Sequence, residues 1–371
     1  MAYLGNQPTD KLLDSNDIVD GAITTSKIAA EAVTSPKVDY DSVSTFSFRN
    51  KIINGKMEIS QRGTSLSIGP NAMTMIVDRF ATAVSGGAVV TASQATDAPA
   101  SAPEFLYSHR IVVTTADAAI AAGDYGFLEQ IIEGYNIRDL IGKTFTLSFW
   151  VRSAKTGIHC VAFRNNGTDR SYVVEYTINA ANTWEYKTIT VTGGLPTAGT
   201  WDYTNGVGLR VLFSLACGTT FQTTAGAWNP GNFLATANQV NCLDTVGNIF
   251  AVTGVQLEVG TVATPFEHRP IAAELALCQR YYQAMRVGGY STTTYIGTAG
   301  PLYVPMRANP TTTMTDIAGT AGRVTTATGN GIVISAGGLG ALAAYGYRMD
   351  AVLASSAANW WTVFAAFNAE L

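Results

Sequence analysis

Three histidines, four cysteines and 27 acidic residues are the groups in this 371-residue chain that could carry acid–base, nucleophilic or metal chemistry. A nucleophile needs a base that a third group orients. No G-x-S-x-G elbow or equivalent accompanies His109, His159 or His268, and Glu267 beside His268 reads as a solvated turn. His159 and Cys160 sit next to each other in a strand pattern, so they point to opposite faces and cannot chelate one ion. Cys160, Cys217, Cys242 and Cys278 lie 57, 25 and 36 residues apart, which is neither a zinc spacing nor a disulfide framework, and they are expected as buried thiols. Glycoside cleavage asks for only two carboxylates. Glu129 and Glu133 share one side of a strand pattern and read as a polar face above a sheet. Loop oxygens around Asp202, Asn205 and Asp244 offer a structural calcium site without an EF-hand-like spacing. The expectation is a chain without catalytic residues, metal or cofactor.

Binding chemistry has more material. Sugar rings present apolar C–H faces that stack on Trp and Tyr, while Asn, Asp and Thr satisfy the hydroxyls. The chain holds 6 Trp and 16 Tyr. Trp201, Tyr203, Trp228 and Phe233 fall in loop-like stretches of its centre, and Tyr290, Tyr295, Tyr303 and Trp360 in its C-terminal part. These eight are the candidate binding residues.

The elements that must position them are mostly strands. Only 13% of residues are charged, with 36 glycines and a net charge of −4. That argues against a phosphate-neutralising nucleic-acid binder, which needs clustered Lys and Arg. No apolar run approaches the ~18 residues of a membrane span, and the opening MAYLGNQPTDKLLD is not a secretory signal. Phe145, Leu147, Phe149 and Val151 alternate with Thr146, Ser148, Trp150 and Arg152, and Val207–Leu215 and Val255–Val259 repeat the period of two. Further strands are expected over 52–59, 109–114, 127–132, 158–163, 172–178 and 184–191, with Gly, Asn and Pro clusters between them. Ile271, Leu275, Cys278 and Tyr282 follow Pro270 at helical spacing. Short β patterns return at 302–307, 311–315, 331–334 and 359–367.

The reading is mainly β. An extended segment over 1–45 precedes an antiparallel jelly-roll-like β-sandwich over 46–269, a linking helix over 270–285 and a distal β tip domain over 286–371. In the leading segment Ala22–Ile28 (AITTSKI) is echoed by Ala32–Val38 (AVTSPKV). Its sparse apolar residues, Ile18, Ile23, Ile28, Val33 and Val38, cannot offset the ordering entropy of a lone strand and call for sister copies.

Several motifs occur in a familiar order: Asn50–Gly63 (NKIINGKMEISQRG), Val77–Phe80 (VDRF), Phe145–Ser153 (FTLSFWVRS), Gly254–Gly260 (GVQLEVG) and Ala263–Glu267 (ATPFE). Together with the leader's IVDGAITTSKI and with Val304–Thr311 (VPMRANPT), they resemble the modules of phage tail fibres, and the middle strands are similar to carbohydrate-binding jelly rolls. The resemblance implies a homotrimeric virion protein made in the host cytoplasm, docked to tail or baseplate by its amino end. It also implies that the chain binds a host polysaccharide or lipopolysaccharide. A tail depolymerase and a non-viral lectin are the alternatives.

Overall fold

Phe145, Leu147, Phe149 and Val151 are wholly buried, so the row predicted to face inward does so. The computed structural model describes residues 48–291, 293–326, 329–342, 344–354 and 359–371. Ile18, Ile23, Ile28, Val33 and Val38 lie outside the described residues.

Among the described residues the first strands are β1 (Ser65–Ile68), β2 (Ala72–Met75), β3 (Phe80–Val84), β4 (Val89–Ala95), β5 (Ser108–Thr115), β6 (Tyr125–Glu133) and β7 (Phe145–Ser153). They continue as β8 (Gly157–Asn165), β9 (Ser171–Ile178), β10 (Glu185–Val191), β11 (Val207–Cys217), β12 (Trp228–Asn229) and β13 (Ile249–Val259). Two antiparallel sheets result, ordered β1-β4-β5-β13-β7-β10 and β12-β9-β8-β11-β6-β3-β2. The chain crosses between them after β1, β3, β5, β6, β7, β9, β10 and β12, so most neighbours in sequence land in opposite layers and form a jelly-roll-like sandwich. Aromatic rings close the space between layers: Phe145 meets Phe163 and Phe149 meets Phe213 edge to face, at 5.2 and 5.0 Å between centroids.

The outer face of the second sheet is roofed by the chain itself. Phe127, Cys160, Ala162, Val173 and Leu212 are buried there with Leu234 and Ala235 of the segment that follows β11. The carboxylates read as a polar face above the sheet, Glu129 and Glu133, are buried and ion-paired. Glu129 accepts from Arg210 at 2.8 Å, and Glu133 accepts from Arg280 at 2.6 and 2.9 Å and from the Tyr281 hydroxyl at 2.8 Å.

Three other expectations are corrected. The stretch 52–59 forms turns, because Asn54 and Met57 adopt left-handed φ near 60° and the side chains of Asn50 and Asn54 take up its backbone groups. The stretch 302–307 also lies outside any strand. The helix α1 (Ile271–Gln279) is shorter than predicted. Ile271, the first residue of that helical spacing, is 56% exposed, and Tyr282, the last, already belongs to β14 (Tyr282–Ser291).

The remaining strands are β15 (Tyr295–Pro301), β16 (Thr311–Thr315), β17 (Arg323–Thr326), β18 (Gly329–Leu342), β19 (Gly346–Leu353) and β20 (Asn359–Asn368). They build a third antiparallel sheet, β14-β20-β17-β18-β19-β15, with β16 also on β20. Val287, Met349, Trp361, Val363 and Phe367 form its core. Phe46–Leu371 is one compact unit, so α1 and the third sheet belong to the same body as the sandwich.

Candidate functional site

The outer face of the first sheet, unlike that of the second, carries an open groove. Because β7 buries its odd-numbered residues, Thr146, Ser148, Trp150 and Arg152 project outward. The same alternation in β4 and β5 turns Thr91, Ser93, Arg110, Val112 and Thr114 to that side, since Val90, Ala92, Ile111 and Val113 are in the core. The strand register aligns Ser65, Ser93, Arg110, Ala251 and Arg152 in one line across β1, β4, β5, β13 and β7. A groove of about 600 Å³ lies over the β1, β4 and β5 part of this face, floored by Thr91, Ser93, Arg110, Val112 and Thr114 and walled by Thr64, Ser65, Gln94 and Asp97. Its volume is in the range of small-ligand sites.

Asp97 fixes the end of the groove nearest the aromatic residues. Its carboxylate accepts from Arg152 and from the Trp184 indole N–H at 3.3 Å. Beyond Arg152 on the same strand stands Trp150, whose ring lies 5.4 Å from that of Tyr186, its cross-strand partner on β10. Burial pushes the Tyr186 phenol up, although 46% of the residue remains exposed. The arrangement therefore joins hydroxyls, an amide and charged groups in a trough to three half-open aromatic rings. Such a surface can hydrogen-bond a polyol and stack against its apolar faces.

The aromatic residues singled out from sequence sit elsewhere. Trp201 and Trp228 pack edge to face at 5.7 Å, and their indole N–H groups donate to the carbonyls of Ala198 and Gly194. Tyr203 packs on the same core, and Phe233 belongs to the roof of the second sheet. These four anchor loops. In the third sheet, Tyr290 and Trp360 are cross-strand partners, 59% and 68% exposed, with rings 5.7 Å apart. Phe364, 40% exposed, projects from the same face. Tyr295 donates its hydroxyl to Asp350 at 2.6 Å, and Tyr303 is exposed. Trp150, Trp184, Tyr186, Asp97, Arg110 and Arg152 were not singled out. The signal for them was present in the outward row of FTLSFWVRS, where a Trp and an Arg replace the small polar residues expected on a solvated strand face.

The groups considered for catalysis or metal binding are engaged in structure. Glu267 is buried rather than solvated, and accepts the backbone N–H groups of Phe48 and Asn50. His159 stacks between Tyr176 and Phe250, on the opposite face of β8 from Cys160. The four cysteines are free thiols, with Cys217 half-buried and the other three buried. Asp202 accepts from Thr204, Asp244 pairs with Lys155 at 2.6 Å, and Asn205 donates to the Arg307 carbonyl. Among the described residues no three His, Cys, Asp or Glu side chains converge to hold a metal ion.

No family model matches the chain, and no curated protein matches it. Among solved structures it is similar to the enzymatically active domain of tailspike protein 4 from bacteriophage CBA120, with 14% identity and a TM-score of 0.31. The match covers 57% of this chain and 22% of that one, so the chain spans under a quarter of the tailspike's length. It is also similar to a family 11 carbohydrate-binding module of a Clostridium thermocellum cellulosomal cellulase, at 12% identity over 52% of this chain and 97% of that one, TM-score 0.29. A xylan-binding domain from Paenibacillus barcinonensis gives 13% identity over 55% and 100%, TM-score 0.24. At these scores the function must be argued from the geometry of this chain.

Proposed function

We propose that this chain is the subunit of a homotrimeric phage tail fibre that binds a host-surface glycan on the outer face of its first sheet. The observation that carries the binding role is the groove over β1, β4 and β5, joined through Asp97 and Arg152 to Trp150, Trp184 and Tyr186. The order of the motifs from the leader to Val304–Thr311 supports the fibre assignment, with residues 1–45 as the docking segment for tail or baseplate. The exposed face of Tyr290, Trp360 and Phe364 supports association of copies, because apolar patches of this kind are usually covered in the working assembly. Three modest sites on one fibre attach firmly through effective concentration. The chain binds without cutting its glycan, is made in the host cytoplasm and is carried on the virion.

Titration of host-envelope oligosaccharide into the purified chain tests the binding role. Trp150→Ala and Tyr186→Ala should each weaken binding about tenfold, the scale of one lost aromatic contact, while Tyr303→Ala should leave it unchanged. Loss with Trp360→Ala in place of Trp150→Ala would move the site to the third sheet. Release of shortened glycan, abolished by one carboxylate substitution, would overturn the non-catalytic reading. Light scattering should give about three times 39.2 kDa.

A further inference from the structure

Arg110 is the charge in the groove that the protein leaves unanswered. The other charged residue lining it, Asp97, is already held by Arg152 and by the Trp184 indole. On either side of Arg110 in the strand register stand Ser93 and Ala251, and beyond Ser93 stands Ser65, none of them acidic. Among the described residues the Arg110 guanidinium makes no ion pair and no hydrogen bond, and its Nε is buried without a partner. A chain with net charge −4 thus places an uncompensated cation in the floor of this groove. A desolvated donor is costly unless something accepts from it, and a guanidinium presents a planar fork that matches a carboxylate or a phosphate in two parallel hydrogen bonds.

The geometry points to an acidic glycan as the ligand, its anionic group seated on Arg110 and its sugar rings running past Asp97 towards Trp150 and Tyr186. The inference rests on the groove being the glycan site proposed above, and adds which class of glycan it selects. The anion is the carboxylate of a uronic or sialic acid residue, or a phosphate substituent. Either one supplies the missing acceptor, whereas a neutral sugar offers only hydroxyls and leaves the charge uncompensated.

Matched pairs of oligosaccharides test this with the full chain. Oligogalacturonate, a hyaluronate oligosaccharide and oligosialic acid are each titrated beside the carboxyl-reduced form, and a phosphorylated mannan oligosaccharide beside its dephosphorylated form. In at least one pair the acidic member should bind tenfold or more tightly, with a preference that shrinks as salt is raised. Arg110→Gln should erase that preference and leave the neutral member's affinity in place, and Arg110→Lys should restore part of it. The pair that shows the effect tells carboxylate from phosphate. Equal binding of both members in every pair, or an Arg110→Gln loss that falls equally on both, would overturn the acidic-ligand inference while the groove stands. If no oligosaccharide binds, or if Trp150→Ala and Tyr186→Ala leave binding untouched, the groove reading itself fails and this inference with it.

Discussion

His109 lies within the sandwich, wholly buried, with Nε2 2.9 Å from the Thr82 hydroxyl and Nδ1 without a partner. Burial lowers its pKa from 6.5 to about 3. The unfolded chain therefore holds more protons than the folded one between those two values. The stability this residue provides is complete above pH 6.5 and is lost as the pH falls towards 3. At pH 5 the loss is about 2 kcal/mol, from 1.5 units at 1.36 kcal/mol each. His159, also lowered by burial, acts in the same direction. Urea midpoints measured between pH 7.5 and 5 should fall, and His109→Gln, which keeps a hydrogen-bonding partner for Thr82, should remove one residue's share of the slope. An unchanged slope would mean that His109 is solvated. The composition held no hint of this, since a histidine opening a strand looks the same whether its face is buried or wet.

At the scale of elements, the motifs that were familiar in the sequence turn out to be seams. Asn50 Oδ1 accepts the N–H groups of Ile52 and Leu257 at 2.9 and 3.0 Å, and its Nδ2 donates to the Val255 carbonyl. Glu258 accepts from Gln256 and from Thr264, so NKIING, GVQLEVG and ATPFE form one buried network. Gly55 belongs to this seam by necessity, because a Cβ there would overlap the Val255 carbonyl oxygen. Asn50→Ala would strip partners from three buried backbone groups and should cost about 3 kcal/mol, read by denaturant unfolding; a loss within 0.5 kcal/mol, roughly the scatter of surface substitutions, would show that water replaces the amide. Alternation was legible wherever one row of a strand is apolar and the other polar, as in β7, where Phe145, Leu147, Phe149 and Val151 fill the core. It misled at 52–59, where Ile52, Met57 and Ile59 are buried but asparagine side chains, not a neighbouring strand, take the backbone hydrogen bonds. It was silent on the groove, which depends on which strands become neighbours across a sheet.

For the whole molecule the question is whether the third sheet is a separate tip or part of one rigid body, and the ends of the chain argue for the latter. Glu370, one residue from the C-terminus, accepts from Arg79 and from Arg62 in the sandwich. Arg79 stacks over Tyr281 at 3.5 Å and Arg62 over Tyr282 at 3.7 Å, while Arg307 donates to the carbonyl of Asn205 at 2.6 Å. Arg79 is 1% exposed, so burial lowers its pKa and the charge depends on its partners. Breaking a buried pair from one side leaves such a charge uncompensated and costs about 3–5 kcal/mol. Glu370→Gln should therefore lower the thermal midpoint, and in calorimetry the single transition expected of a continuous body should split, with the third sheet melting first. Adding Arg79→Met should recover part of the loss, since an apolar pair of similar volume often replaces a buried ion pair without penalty. If Glu370→Gln melts like the parent in a single transition, the ion pairs are not what joins the sheets, and the Arg62–Tyr282 and Arg79–Tyr281 stacks with the Arg307–Asn205 hydrogen bond hold the junction in their place.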